Sequence, residues 1–153
     1  MRTKPILVQV PAFTVAHSVT LGLTMYGIVS LSSRIVEPMI ALSIAYVGME
    51  NILTSRLTPW RPVLVFCFGL LHGMGFAGAL AELDLPRKEI LPALISFNAG
   101  IELAQLTVIA AAYVCVVMWI RDKPWYRSRF VIPASALIAT TGLFWTVQRI
   151  TAF

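Results

Sequence analysis

Long apolar runs separated by short polar segments organise this chain. Five runs predict membrane-crossing helices over about 11–30, 35–52, 63–81, 90–120 and 130–147. In the first, Thr14, His17, Thr20 or Leu21, and Thr24 fall on one helical face. The second has Glu37 at its start and Glu50-Asn51 at its end, with Ser43, Tyr46 and Glu50 sharing a face. A connector from Leu53 to Pro62 follows, and its Trp60 suits a membrane–water interface. Between the third and fourth runs lies the most polar loop, Glu82 to Glu89, where Asp84-Leu85-Pro86 reads as a helix start. The fourth run is long for one crossing of about 20 residues. Pro92 and Gly100 predict a kink or break near its start. Asn98, Glu102 and Gln105 are spaced to form one polar stripe. The loop from Arg121 to Arg129 is strongly basic, and Arg149 follows the last run.

The third run carries the most unusual pattern. His72 sits near its middle, flanked by Gly69, Gly73, Gly75 and Gly78. Gly69 and Gly73 have the small-xxx-small spacing that lets helices approach closely in lipid. This helix is therefore expected inside a bundle, with His72 facing other helices. An ionisable residue at that depth is a functional-site hypothesis by default.

Composition supports the same reading. The 153 residues are 58% hydrophobic and only 12% charged, against about 25% charged in soluble domains. The fold class is all-α, a polytopic membrane helix bundle of about five transmembrane helices forming one domain. Neither an internal repeat nor a cleavable signal peptide stands out. The net charge of +5 comes from residues at helix ends and does not point to nucleic acid. Cys67 and Cys115 lie in apolar runs and read as small hydrophobes. Alternation of the helices puts Arg2, Lys4, Arg56, Arg61, Arg121, Lys123, Arg127 and Arg129 on one side. Arg34, Arg87, Lys88 and Arg149 fall on the other. The positive-inside rule then predicts a cytoplasmic N-terminus and an external C-terminus.

Four ionisable side chains on four helices make the candidate chemistry: His17, Glu50, His72 and Glu102. Two imidazoles and two carboxylates match the ligand set of a borderline divalent metal such as Zn, Ni or Co. Asn98 and Gln105 are expected to orient Glu102, with Asn51 and Glu37 as further supporting polar groups. Each residue also has a plainer reading. His17 and His72 could hydrogen-bond across helices. Glu37, beside Arg34 and before Pro38, reads first as an interfacial carboxylate at a helix start. Glu50 is close enough to an interface to be solvated. Glu102 is the hardest to explain without a partner, because it is far from both ends of its run. No nucleophile arrangement and no phosphate-binding loop is evident.

Four segments carry a resemblance: Ala12-Phe13-Thr14-Val15-Ala16-His17-Ser18-Val19-Thr20-Leu21; Val36-Glu37-Pro38-Met39-Ile40-Ala41-Leu42-Ser43-Ile44 with Glu50-Asn51; Phe68-Gly69-Leu70-Leu71-His72-Gly73-Met74-Gly75-Phe76-Ala77; and Phe97-Asn98-Ala99-Gly100-Ile101-Glu102-Leu103-Ala104-Gln105-Leu106. Over nearly its whole length the chain resembles the second branch of the HupE/UreJ family of bacterial integral membrane proteins. That resemblance implies an association with hydrogenase and urease gene clusters and a role as a nickel or cobalt permease. It also implies that His17, Glu37, Glu50, His72, Asn98 and Glu102 are the family's polar intramembrane positions. One departure is large. Members of this branch usually have an earlier helix patterned His-x-x-x-Gly-x-Asp-His, and nothing matching it precedes the His17 segment. Either the chain is an N-terminally shortened version or Met1 is not its true start, and weak or no metal retention is expected of the sequence as it stands.

The leading expectation is a permease for a divalent transition metal in the bacterial inner membrane, with His17, His72 and Glu102 as transient ligands. Imidazole and carboxylate bind such an ion yet release it, as a permeation path requires. The alternatives are an intramembrane zinc-type hydrolase, with Glu50 or Glu102 as general base, and a non-catalytic membrane subunit. The expected partners are the lipid bilayer and a divalent metal ion, with a homo-oligomer compatible with the chain and no nucleic acid.

Overall fold

A computed structural model describes residues 4–55, 58–84 and 86–152, with side chains from residue 8 onward. Arg2, Arg56 and the side chain of Lys4, used above for orientation, lie outside that set. The described residues form five long helices and no strand. They are α1 (Lys4–Met25), α2 (Ser33–Leu53), α3 (Arg61–Ala81), α4 (Arg87–Ile120) and α5 (Arg127–Thr151). Among the described residues, helices α2 to α5 are long and apolar enough to cross a membrane, four where five spans were expected. The all-α bundle predicted from the sequence is what forms.

The helix limits differ from expectation for local reasons. α1 begins at Lys4 and runs through Pro11, where a start was expected. In lipid, an interrupted helix would leave backbone groups unsatisfied, so the chain stays helical through a proline. α1 also ends at Met25, ahead of the expected Ser30. Gly27 adopts the left-handed conformation (φ 72°). The Gly27 N–H donates to the Thr24 carbonyl at 2.9 Å and the Ile28 N–H to the Leu23 carbonyl at 2.9 Å. This pair of bonds closes a helix C-terminus. Asp84 also has positive φ (47°) and shapes a turn, and α4 starts only at Arg87. The break expected near Pro92 and Gly100 is absent: both lie within one continuous helix. A single π-helical turn, Tyr113–Val117, is the one irregularity in α4, and a second, Arg127–Val131, opens α5.

Small residues decide which helices pair. α1 lies parallel to α3, joined at the two glycines picked out in the sequence. A Cβ on Gly69 would stand 2.7 Å from the Phe13 carbonyl oxygen. One on Gly73 would collide with Thr20, the His17 carbonyl and the Leu21 nitrogen. The Thr20 hydroxyl donates to the Leu70 carbonyl across this seam at 2.8 Å. α2 and α5 form the second pair, antiparallel. Gly48 abuts Ala139 and the Ser135 carbonyl, and Gly142 abuts Ala45 and the Ala41 carbonyl. Without a hydrophobic force between helices in lipid, such close backbone packing is what holds them. α2 and α3 join the pairs, with Tyr46 against Phe68 (ring centroids 6.1 Å) and Ile40 against Gly75. α4 docks on α1 and α3 by its first turns only. Its Ile90 and Leu94 pack with Leu21, Ala77 and Leu80, flanked by Met25 and Phe97. Beyond Asn98 it is mostly exposed, with Ile101 and Gln105 half-buried, and its most apolar stretch contains no fully buried residue.

Candidate functional site

The site starts from the seam between α1 and α3. Because Gly73 lets α1 lie directly on α3, the ring of His17 is sealed in: it is 1% exposed. Phe13 stacks on it (5.9 Å between centroids), Phe97 lies near-parallel at 6.4 Å, and Phe76 meets it edge-on at 5.5 Å. Neither ring nitrogen has a hydrogen-bond partner. Burying a polar group in this state costs about 1–3 kcal/mol, so fold stability does not explain the residue.

His72 meets the same phenylalanine edge-on, its ring centroid 5.3 Å from that of Phe13. Its Nδ1 lies 2.8 Å from the Phe68 carbonyl oxygen one turn back. A carbonyl only accepts, so Nδ1 carries the proton and Nε2 keeps its lone pair in the neutral ring. Anchoring one imidazole nitrogen in this way is how proteins orient the other toward a metal. His72 also lines a cleft of about 570 Å³ between α2, α3 and α5. The cleft walls are Ile40, Ala41, Ile44, Gly75, Phe76, Gly78, Ala79 and Trp145, and its rim carries Ser33, Glu37, Glu82 and Arg149.

The remaining expected site residues are placed elsewhere. Glu50 is at the opposite end of α2, where its carboxylate accepts from the Thr58 hydroxyl at 2.9 Å and lies 3.7 Å from Arg61. Arg61 also donates to Asn51 Oδ1 at 3.2 Å, and Arg127 donates to the Ile52 carbonyl at 3.0 Å. Glu50 and Asn51 therefore clamp the ends of α2 and α3. Glu37 is paired across the bundle with Arg149 at 3.0 Å. Asn98 accepts from Ser18 at 2.9 Å and ties α4 to α1, so it does not orient Glu102. Gln105 has a buried Oε1 without a partner. Glu102 is exposed, on the part of α4 beyond Asn98. Among the described residues no three His, Cys, Asp or Glu side chains group as a metal cage. Of the expected cluster, the two imidazoles share a neighbour, the Phe13 ring.

The Glu37–Arg149 pair and the cleft were not foreseen. The only sequence signal for them was topological: alternating helices put the start of α2 and the ends of α3 and α5 on one side.

Comparison with known proteins agrees with the fold. No curated protein and no solved structure matches the chain. A family model described as HupE / UreJ protein matches residues 1–149. With a bundle of helices long and apolar enough to cross a membrane, this match over residues 1–149 shows that the chain belongs to the HupE/UreJ family.

Proposed function

We infer that the protein passes a divalent transition-metal ion, nickel or cobalt, across the membrane as cargo, with His72 and His17 as the intramembrane contact points. The observation that carries this reading is the state of the two imidazoles. His72 is anchored through Nδ1 at the cleft, and His17 is buried against the same Phe13 ring with both nitrogens unpartnered. Imidazole nitrogen suits nickel, cobalt and zinc and is a poor ligand for sodium, potassium or magnesium. A single imidazole at the cleft holds an ion less tightly than the three or four ligands of a resident zinc site, which suits release. The association of the HupE/UreJ family with nickel and cobalt handling supports the same assignment. No observation favours the hydrolytic alternative, since Glu50 and Glu102 do not join the imidazoles in a ligating group.

Radioactive nickel uptake into proteoliposomes tests this. His72→Ala should abolish saturable uptake, and His72→Gln should keep the melting temperature in detergent while losing uptake. Uptake by His72→Ala at the wild-type rate would reject the assignment.

A further inference from the structure

Three helix ends form the rim above His72. Glu37 comes from α2, Glu82 from α3 and Arg149 from α5. The Arg149 guanidinium lies 3.0 Å from the Glu37 carboxylate. Both side chains stay partly open to the outside, at 54% and 35% exposure. An ion pair this exposed adds little net stability and exchanges readily. Arginine, however, stays protonated under all ordinary conditions. The rim therefore holds a permanent, tethered cation on one of the two carboxylates that an incoming ion would meet. Beneath it the cleft walls are apolar, and the next polar atoms are those of the His72 ring.

We propose that Arg149 is a specificity-determining residue of the path: it competes with entering cations for Glu37, so that monovalent ions are turned away and divalent ions are admitted. The proposal rests on the reading that the cleft above His72 conducts a divalent metal. A monovalent cation that takes Glu37 only replaces one positive charge by another and leaves the guanidinium stranded beside it. A divalent ion is attracted twice as strongly at the same distance, and it draws on Glu82 as well as Glu37. Once past the rim, nickel or cobalt gains imidazole, whereas sodium or potassium meets a nearly apolar passage. Two filters in series follow: charge at the rim, set by Arg149, and ligand type at His72.

The test compares wild type, Arg149→Gln and Arg149→Lys in proteoliposomes, with nickel uptake measured against nickel concentration, with and without added sodium. Removing a competing exposed charge should lower the half-saturating nickel concentration by about two- to fivefold. The maximal rate should hold, and sodium should now inhibit. Arg149→Lys, which keeps the charge, should behave as wild type. If the ion pair were only structural, Arg149→Gln would lower the maximal rate or the melting temperature and leave half-saturation in place. An unchanged or raised half-saturation in Arg149→Gln overturns the proposal. A binding readout separates this from failure of the permease reading. With Trp60, Trp119 and Trp125 replaced by Phe, Trp145 in the cleft wall remains the single tryptophan, and cobalt ions quench it on approach. Quenching should occur at lower cobalt in Arg149→Gln. Absent nickel uptake by wild type would reject the permease reading, and identical quenching curves, or none, would reject the role of Arg149.

Discussion

His17 and His72 were both legible in the sequence as ionisable residues in apolar helices, and their proximity was expected on grounds of cost. What the sequence did not show is the form of their meeting. They share Phe13, and His17 is enclosed by aromatic rings with no polar partner. The linear pattern records that a phenylalanine lies one turn from each histidine, but not which rings close over which. A specific outcome follows from the unpartnered nitrogens. Replacing His17 by Phe, a ring of similar size, removes a desolvation cost of about 1–3 kcal/mol. For a chain of this length that corresponds to a rise of about 2–4 °C in melting temperature per kcal/mol. Nickel uptake should fall at the same time. Thermal unfolding in detergent, run beside the uptake assay, checks both. A lower melting temperature would mean that the imidazole contributes to the fold. Glu102 shows the opposite limit. Periodicity put it correctly on a stripe with Asn98 and Gln105, yet how far α4 stays with the bundle is a matter of partners, which a single helix pattern does not contain.

All five helices appear close to where the apolar runs place them, and four of them, α2 to α5, have the length and apolarity of a membrane span. Their ends were set by finer features: the left-handed Gly27 after α1, and the positive φ of Asp84 before α4. Small-residue spacing marked α3 as a helix packed closely against others, because Gly69 and Gly73 make the repeat visible within one helix; that its partner is α1 came only from the structure. The α2–α5 seam uses Ala41, Ala45 and Gly48 against Ser135, Ala139 and Gly142, where alanines are too common to stand out. Glycine substitutions discriminate seam from lipid face. Gly73→Ala forces a methyl against α1 backbone, which cannot move aside, and should cost about 1–3 kcal/mol. Gly78→Ala meets nothing within 4 Å and should leave stability unchanged. Melting temperatures in detergent for the two variants decide this; equal losses would mean that the seam is looser than described.

At the level of the whole molecule, alternation of five helices sorts the described charges by end. Arg61 and Arg127 meet the C-terminal end of α2, while Arg149 meets its N-terminal end. The direction across the bilayer is an expectation from the sequence, resting on the larger basic count on the Arg61 side, and labelling tests it. In a variant with Cys67 and Cys115 replaced by Ala, an impermeant thiol reagent applied outside should label a cysteine in the Glu82–Glu89 loop. It should miss one in the Arg121–Arg129 loop, and the reverse pattern would invert the orientation. The pairing of α2 with α5 also bears on how the chain is made. Glu50 gains Arg61 almost as soon as α3 emerges from the ribosome. Glu37 instead waits for Arg149, translated roughly 110 residues later, which at 5–20 residues per second is about 5–20 s. Throughout that interval α2 has Glu37 without its Arg149 partner and an uncovered seam of alanine and glycine. Those are features that membrane quality control can read. Completion of the last helix is then the event that hides them, so a nascent chain stalled before α5 would remain marked for degradation while a finished one would not.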